Sequence, residues 1–117
     1  MSVIYGCHKH GNDATTATIS FVEPKMNDTI PSNQELHIEG TVTADGEMHG
    51  YNIQVLNRLT NEVLLTRSSS KHGKSYAFHE HWQPGVFDTI QARVKVEVIL
   101  NHDGLKESES IDLLFLP

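Results

Sequence analysis

The sequence predicts an all-β protein in which seven strands form two antiparallel sheets packed face to face. Apolar side chains recur at every second position between Thr18 and Leu116, and turn-forming residues separate these runs. No segment of useful length has a helical period. One face of each strand is apolar, as expected where two sheets share a buried interior.

The first four predicted strands are short and alternate clearly. The run "ATISFVEP" places Ile19 and Phe21 on one face and ends at Pro24, and "QELHIEGTVTA" alternates from Leu36 onward. The run "YNIQVLN" repeats the pattern from Tyr51, and a tight connection leads to "EVLLTR". Each run therefore predicts a half-buried strand.

The last three predicted strands include the strongest signals. The run "KSYAFHEHW" ends at "QPG", and "DTIQARVKVEVIL" is apolar at every second position from Ile90 to Leu100. Asp103-Gly104 then predicts a type I′ hairpin turn, which requires positive φ at both central residues. The run "ESESIDLLFL" after this turn predicts the last strand, which pairs with the strand before the turn. Seven strands in about 100 residues are typical of a two-sheet sandwich.

The chain of 117 residues is the size of one ordinary domain, and we expect two regions within it. Residues 1–17 have no hydrophobic period and are rich in Thr, Asn, Asp and Gly, so they predict a flexible tail. Residues 18–117 form the sandwich. The single cysteine, Cys7, excludes an internal disulfide framework and a CxxC metal site.

The sequence around Cys7 bears on localisation. "VIYGC" is similar to the end of a bacterial lipoprotein signal peptide, in which the cysteine becomes acylated, but the positive region and long apolar core are missing. Two interpretations stay open: a lipid tether at Cys7, or a free thiol in a tail. No window of 18 apolar residues occurs, so we expect no transmembrane segment.

The net charge argues against a nucleic-acid partner. The formal charge is −6, whereas binding to a phosphate backbone requires basic patches. Protonation of all eight histidines would change the formal charge from −6 to +2, so its sign depends on mild acidity.

The pattern across the first strands resembles a known class of modules. It comprises a strand at Ile19, then Pro24, the turn Asn27-Asp28, Pro31, Leu36-x-Ile38-x-Gly40-x-Val42-x-Ala44, and Tyr51-x-Ile53-x-Val55. This run resembles the first half of bacterial immunoglobulin-like and fibronectin type III-like modules of envelope lipoproteins. The resemblance implies an immunoglobulin-like sandwich in the periplasm or at the outer membrane. It also implies a role in binding or display, with a protein or glycan partner left open and no catalytic residues.

Three histidines form the sharpest candidate site. His79 and His81 are two positions apart on one predicted strand and therefore leave the same face, while the aromatic residues point inward. In the sandwich topology this strand neighbours the one that carries His37, so all three histidines can share one outer surface. Three imidazoles with an open fourth position suit copper or zinc. The simpler interpretation is an exposed sheet face without an ion.

The other histidines give weaker signals. His49 lies beside Met48 and indicates soft copper ligation only if His81 or the tail comes close; otherwise it is a loop end. The remaining four are assigned to the tail or to loops: His8, His10, His72 and His102.

We expect no catalysis. Ser68, Ser69 and Ser70 form a polar loop without a nucleophile elbow, and Cys7 lies in a tail that cannot preorganise a site. Loops 44–50, 68–74 and 83–88 are instead the candidate contact surfaces.

A carbohydrate-recognition module is a further alternative. Trp82 or Tyr51 would be its stacking platform, although both aromatic residues are in phase with the predicted core.

Overall fold

The computed structural model describes residues 12–117, and these residues form strands and connections without a helix. No helix in this part of the chain could therefore span a membrane. The eight strands are β1 (Ala17–Glu23), β2 (Thr29–Pro31), β3 (Leu36–Met48), β4 (Tyr51–Asn57), β5 (Val63–Ser69), β6 (Gly73–Trp82), β7 (Ile90–Ile99) and β8 (Lys106–Leu116).

The strands form two sheets, which confirms the all-β, two-sheet prediction. One sheet has three strands in the order β1-β3-β6, and the other has five in the order β2-β8-β7-β4-β5. All pairs are antiparallel except β2 and β8, which run parallel. The prediction of seven strands in purely antiparallel sheets is therefore wrong. There are eight strands, and the five-stranded sheet is mixed.

The strand that the sequence did not predict is β2, because three residues are too few to show an alternating pattern. Its middle residue, Ile30, is buried against the core, while Pro31 ends the strand. Proline lacks a backbone N–H and is tolerated at the edge of a sheet, which is where β2 lies.

The core lies between the two sheets and follows the predicted period of two. In β7 every second residue from Ala92 to Val98 is fully buried, and the residues between them are partly exposed. Phe78 of β6 and Phe115 of β8 are the largest fully buried side chains. Burial of each aliphatic or aromatic side chain contributes about 1.5–3 kcal/mol, so this interior holds the sheets together without a disulfide.

Gly40 shows why one core position of β3 carries no side chain. It pairs with Phe21 on one side and with Phe78 on the other, and the two rings pack edge to face with centroids 5.8 Å apart. A Cβ atom at Gly40 would lie 2.1 Å from the carbonyl oxygen of Ser20 and 2.6 Å from Cζ of Phe78. Position 40 therefore requires glycine, because the backbone of β1 approaches β3 too closely for any side chain there.

The segment just before β1 packs against the sandwich. Ala14 is fully buried in the core, and Asp13 forms an isolated parallel bridge with Glu47 of β3. The backbone N–H groups of Thr15 and Thr16 donate to the Asp45 carboxylate at 2.7 and 3.1 Å. The expected tail included these residues, whereas its remainder, with Cys7, His8 and His10, lies outside the described residues. For that part the flexible tail and the tether stay predictions.

Candidate metal centre

Four polar side chains meet at one end of the two sheets, each carried by a different segment. Asp13 precedes β1, and His49 lies in the short connection between β3 and β4. His72 lies between β5 and β6, and His102 lies in the turn between β7 and β8. Two of these connections, β3 to β4 and β5 to β6, pass from one sheet to the other. We call Asp13, His49 and His102 the end site.

His49 is held by backbone hydrogen bonds to the neighbouring strand. Its N–H donates to the carbonyl of Ile99 at 2.8 Å, and the N–H of Ile99 donates to the carbonyl of Gly50 at 2.9 Å. Gly50 has φ +132°, and a Cβ atom there would lie 2.5 Å from the carbonyl oxygen of Ser69. The "HG" pair therefore allows a tight crossover that fixes the imidazole beside the core.

Asp13 is positioned by a close approach of two backbones. The N–H of Ala14 donates to the carbonyl of Glu47 at 3.0 Å, and the N–H of Glu47 donates to the carbonyl of Asn12 at 2.6 Å. A Cβ atom at Gly46 would lie 2.5 Å from the carbonyl oxygen of Asp13. Gly46 therefore lets the segment that carries Asp13 lie directly on β3.

His102 lies in the hairpin turn between β7 and β8. The prediction that this turn is of type I′ is wrong. The N–H of Gly104 bonds the carbonyl of Asn101 at 3.3 Å, and the N–H of Asp103 bonds the side-chain oxygen of Asn101 at 2.9 Å. Gly104 has φ +86°, but Asp103 does not have the positive φ that type I′ requires. Because Asn101 organises the loop, His102 becomes the first central residue of a β-turn at the tip of the hairpin.

The donor atoms of the end site converge. Those of Asp13, His49 and His102 all lie within 4.8 Å of one another. Nε2 of His49 is 2.9 Å from Oδ1 of Asp13, and Nδ1 of His102 is 3.3 Å from Oδ2 of Asp13. The imidazole rings of His49 and His102 have centroids 4.2 Å apart. This cluster could hold a metal ion, because two ligands of one tetrahedral zinc ion lie about 3.3 Å apart.

The charge of the end site also suits a cation. The hydrogen bond with His49, supported by that with His102, lowers the pKa of Asp13 against the opposing effect of desolvation. The carboxylate is therefore ionised at neutral pH. The side chains of Asp13 and His49 are each 11% exposed, whereas that of His102 is 62% exposed. One side of the site is thus sheltered and the other is open to solvent.

His72 extends the end site toward β6. Its ring centroid lies 4.9 Å from that of His49, and its Nδ1 is 3.2 Å from Oε2 of Glu47. The donor atoms of His72 are not among those that converge within 4.8 Å, so His72 borders the end site and is not one of its three ligands. The carboxylate of Glu47 can orient its ring.

The three histidines that the sequence singled out lie together elsewhere. His37 pairs directly with His81 across β3 and β6, and His79 pairs with Glu39. The ring centroids of the three histidines are 5.5, 5.6 and 5.8 Å apart on the outer face of the three-stranded sheet. The predicted shared surface is confirmed. Within residues 12–117, however, the end site is the group whose donor atoms converge within 4.8 Å.

Sequence reasoning missed two members of the end site. His102 was assigned to a loop and Asp13 to the tail, while the interpretation of His49 as a ligand depended on His81 or the tail coming close. The predicted tail does so through Asp13, whose Oδ1 lies 2.9 Å from Nε2 of His49. The available signal was the short "HDG" and "MHG" turns, which place histidines at strand ends but do not reveal which ends meet.

The proposed stacking residues for a glycan pack against other aromatic side chains. Trp82 lies edge to face with Phe115, with centroids 6.0 Å apart. Tyr51 lies 5.2 Å from Tyr76 by the same measure, and both Trp82 and Tyr51 are partly buried against the core. A carbohydrate role for these residues stays a prediction.

Comparison with known proteins adds no family assignment. No protein-family model matches the chain, and no curated protein matches it.

Proposed function

We propose that this protein is a non-catalytic, immunoglobulin-like module that binds one transition-metal ion, Zn²⁺ or Cu²⁺, at the end site. The observation that carries the proposal is the convergence of the Asp13, His49 and His102 donor atoms within 4.8 Å. The copper or zinc expected from the sequence is thus retained, but its principal ligands are different residues.

The immunoglobulin-like part of the proposal is supported by strand order. Immunoglobulin-type sandwiches place their second and fifth strands side by side in one sheet and their third, sixth and seventh strands in the other. With the short β2 set apart as an extra edge strand, β3 and β6 are neighbours in one sheet, and β4, β7 and β8 are neighbours in the other.

The choice of metal follows from the donor atoms. The two imidazole nitrogens are borderline ligands that suit Zn²⁺ and Cu²⁺ better than Ca²⁺ or Mg²⁺, which prefer oxygen. Zn²⁺ also accepts a carboxylate oxygen beside imidazoles. Three protein ligands leave a fourth position for water. Cu²⁺ binds more tightly than Zn²⁺ to most such sites, so we expect the same ranking here.

The competing interpretation is a purely structural hydrogen-bond cluster. Asp13 accepts from both imidazoles, and each shared proton occupies the position that a metal ion would take. A metal must therefore displace these hydrogen bonds, and the ring proton of a neutral imidazole then moves to its other nitrogen. A purely structural cluster would bind no ion.

Calorimetry of the full chain with Zn²⁺ and Cu²⁺ tests the proposal. We expect binding in the micromolar range or tighter. Replacement of both end-site histidines, His49→Ala/His102→Ala, should weaken this binding by more than about 100-fold, because loss of even an outer-shell partner weakens metal sites by 10–100-fold.

The matched control is His79→Ala/His81→Ala, which removes two histidines at the other end of the strands and should leave the tight binding unchanged. The same calorimetric titration of Cys7→Ser/His8→Ala/His10→Ala tests whether donor atoms outside the described residues contribute to the binding. Tight binding that survives loss of His49 and His102 overturns the proposal.

We also propose that the module is held at a bacterial envelope through an acylated Cys7. The "VIYGC" pattern supports this location. Mass spectrometry of the protein from its native membrane fraction tests it. An acyl group on Cys7 is the expected result, and an unmodified thiol would contradict the tether.

A further inference from the structure

The outer face of the three-stranded sheet carries a second group of histidines, independent of the end site. We define the face cluster as His37, His79, His81 and Glu35. Glu35 immediately precedes β3, His37 lies near the start of that strand, and His79 and His81 lie near the end of β6. We propose that the face cluster is a second, weaker and solvent-exchanging site for Cu²⁺ or Zn²⁺.

The ring positions fit one shared ion. The three centroid separations of 5.5, 5.6 and 5.8 Å form a nearly equilateral triangle. The centre of such a triangle lies about 3.2 Å from each centroid, which is where an ion bound at 2.0–2.1 Å by a ring nitrogen is found. The planes of the three rings are inclined to one another by 26°, 33° and 57°, so the side chains must rotate before one nitrogen of each ring faces this centre.

The carboxylate of Glu35 supplies a partner for two of the rings. Oε1 lies 3.4 Å from Nε2 of His37, and Oε2 lies 3.2 Å from Nδ1 of His81. In metal sites a carboxylate commonly accepts a hydrogen bond from the ring nitrogen that does not bind the ion. Glu35 therefore orients His37 and His81 and adds negative charge beside the ion.

The backbone makes this arrangement rigid. His37 and His81 are direct partners in the β3–β6 ladder, and His79 leaves the same face of β6 two residues away. Ile38 and Phe78, which lie beside these histidines in sequence, are buried and fix the phase of both strands. The imidazoles consequently cannot leave the outer face without a shift of strand register.

The ligands of the two sites differ in solvent exposure, and this predicts a difference in metal affinity. The side chains of His37 and His81 are 42% and 56% exposed, whereas two of the three end-site ligands, Asp13 and His49, are 11% exposed and the third, His102, is 62% exposed. Ligands in water lose more side-chain freedom on binding and exchange their ion more readily, so the face cluster should fill second. From His37 to His49 the chain advances about 40 Å along β3 at about 3.3 Å per residue, so the two sites should act independently.

Titration of the full chain with Cu²⁺, followed by NMR of the histidine ring protons, tests the inference. Paramagnetic Cu²⁺ broadens the signals of nearby rings. We expect His49 and His102 to broaden with the first equivalent, and His37, His79 and His81 to broaden together with the second. Calorimetry should give two Zn²⁺ ions per chain, the second bound at least about tenfold more weakly.

Variants assign the second ion without disturbing the first. His79→Ala/His81→Ala replaces two outward-facing side chains, so it should remove the second ion and leave the first equivalent unchanged. His49→Ala/His102→Ala should do the reverse, which separates failure of one site from failure of the other. Glu35→Gln keeps all three rings and should weaken the second ion by about 10–100-fold through loss of orientation.

Two results would overturn the second site. One is a single bound ion in the wild type with no change in the face-cluster signals. The other is broadening of His37, His79 and His81 at separate Cu²⁺ concentrations, which indicates isolated surface histidines. An unchanged second affinity in Glu35→Gln would remove the assigned role of Glu35.

Discussion

Nε2 of His49 lies 2.9 Å from Oδ1 of Asp13, and both side chains are only 11% exposed. The two residues are 36 positions apart, so the contact joins the segment before β1 to the crossover between the two sheets. In a sheltered setting a carboxylate and an imidazole attract each other more strongly than in bulk water. This contact therefore fixes the relative position of two of the three end-site ligands.

A bound ion at the end site should stabilise the fold, because its ligands come from three separate segments. At a free Zn²⁺ concentration 100 times the dissociation constant, the stabilisation is about 2.7 kcal/mol. For a domain of this size that corresponds to a rise of roughly 10–20 °C in the melting temperature. Calorimetric melting with and without Zn²⁺ measures it. In a chain that also carries His79→Ala/His81→Ala, so that the face cluster cannot contribute, His49→Ala/His102→Ala should show little of this rise. An equal rise in that variant would exclude the end site as its origin.

Gly46→Ala should weaken metal binding although Gly46 offers no ligand atom. The new Cβ would lie 2.5 Å from the carbonyl oxygen of Asp13 and 2.8 Å from that of Asn12. The segment must move, and Asp13 moves with it. We expect at least about a tenfold loss of Zn²⁺ affinity by calorimetry, comparable with loss of an outer-shell partner. Thr41→Ala, at an exposed position of the same strand, is the control, because it adds no atom near the segment that carries Asp13. Equal affinities in the wild type and Gly46→Ala would show that the close approach does not position Asp13.

Gly40→Ala should destabilise the sandwich. The added Cβ would lie 2.1 Å from the carbonyl oxygen of Ser20, which is backbone and cannot rotate away. Overpacking of this kind costs about 1–3 kcal/mol, and we expect the upper end of that range in urea unfolding. Thr41→Ala, at the exposed neighbouring position, should change stability by less than about 0.5 kcal/mol. If Gly40→Ala unfolded at the same urea concentration as the wild type, that result would contradict the observed spacing of β1 and β3.

Asp45 should make part of the stability depend on pH. Hydrogen bonds from the side chain and backbone of Thr15, together with the backbone of Thr16, lower the pKa of Asp45 to about 2 from its ordinary value of 3.8. A depressed folded-state pKa means that this stabilisation is fully present above pH 3.8 and is lost as the pH falls toward 2. In urea unfolding, Asp45→Asn should be less stable than the wild type at neutral pH, and the difference should shrink over this interval.

Thr15→Ala provides the matched test of this cause. It removes the side-chain donor, so the pKa of Asp45, followed by carboxyl-carbon NMR, should rise. A pKa that stays near 2 in Thr15→Ala would assign the shift to the backbone donors alone.

Much of the fold could be predicted because it is local. The alternation in β7 predicts which residues are buried, and Ala92 to Val98 confirm it. The outward direction of His79 and His81 follows from the same period, since the aromatic residues of that strand belong to the core. Their meeting with His37 needed only the neighbour relation of two strands, which the sandwich topology supplies.

The end site and β2 could not be predicted in this way. β2 is a three-residue strand that exists only through its pairing with β8. Asp13 and His102 are 89 positions apart and contact each other through the ends of segments whose local sequence indicates only turns.

The sequence by itself determined which face of each long strand is buried, because period two and apolar contrast are properties of neighbouring residues. Only the tertiary structure decided which strand ends meet. That outcome depends on how two sheets stack and on where Gly46 and Gly50 permit close backbone approach. A carboxylate and two imidazoles come together there because packing of the whole core brings their segments to one end.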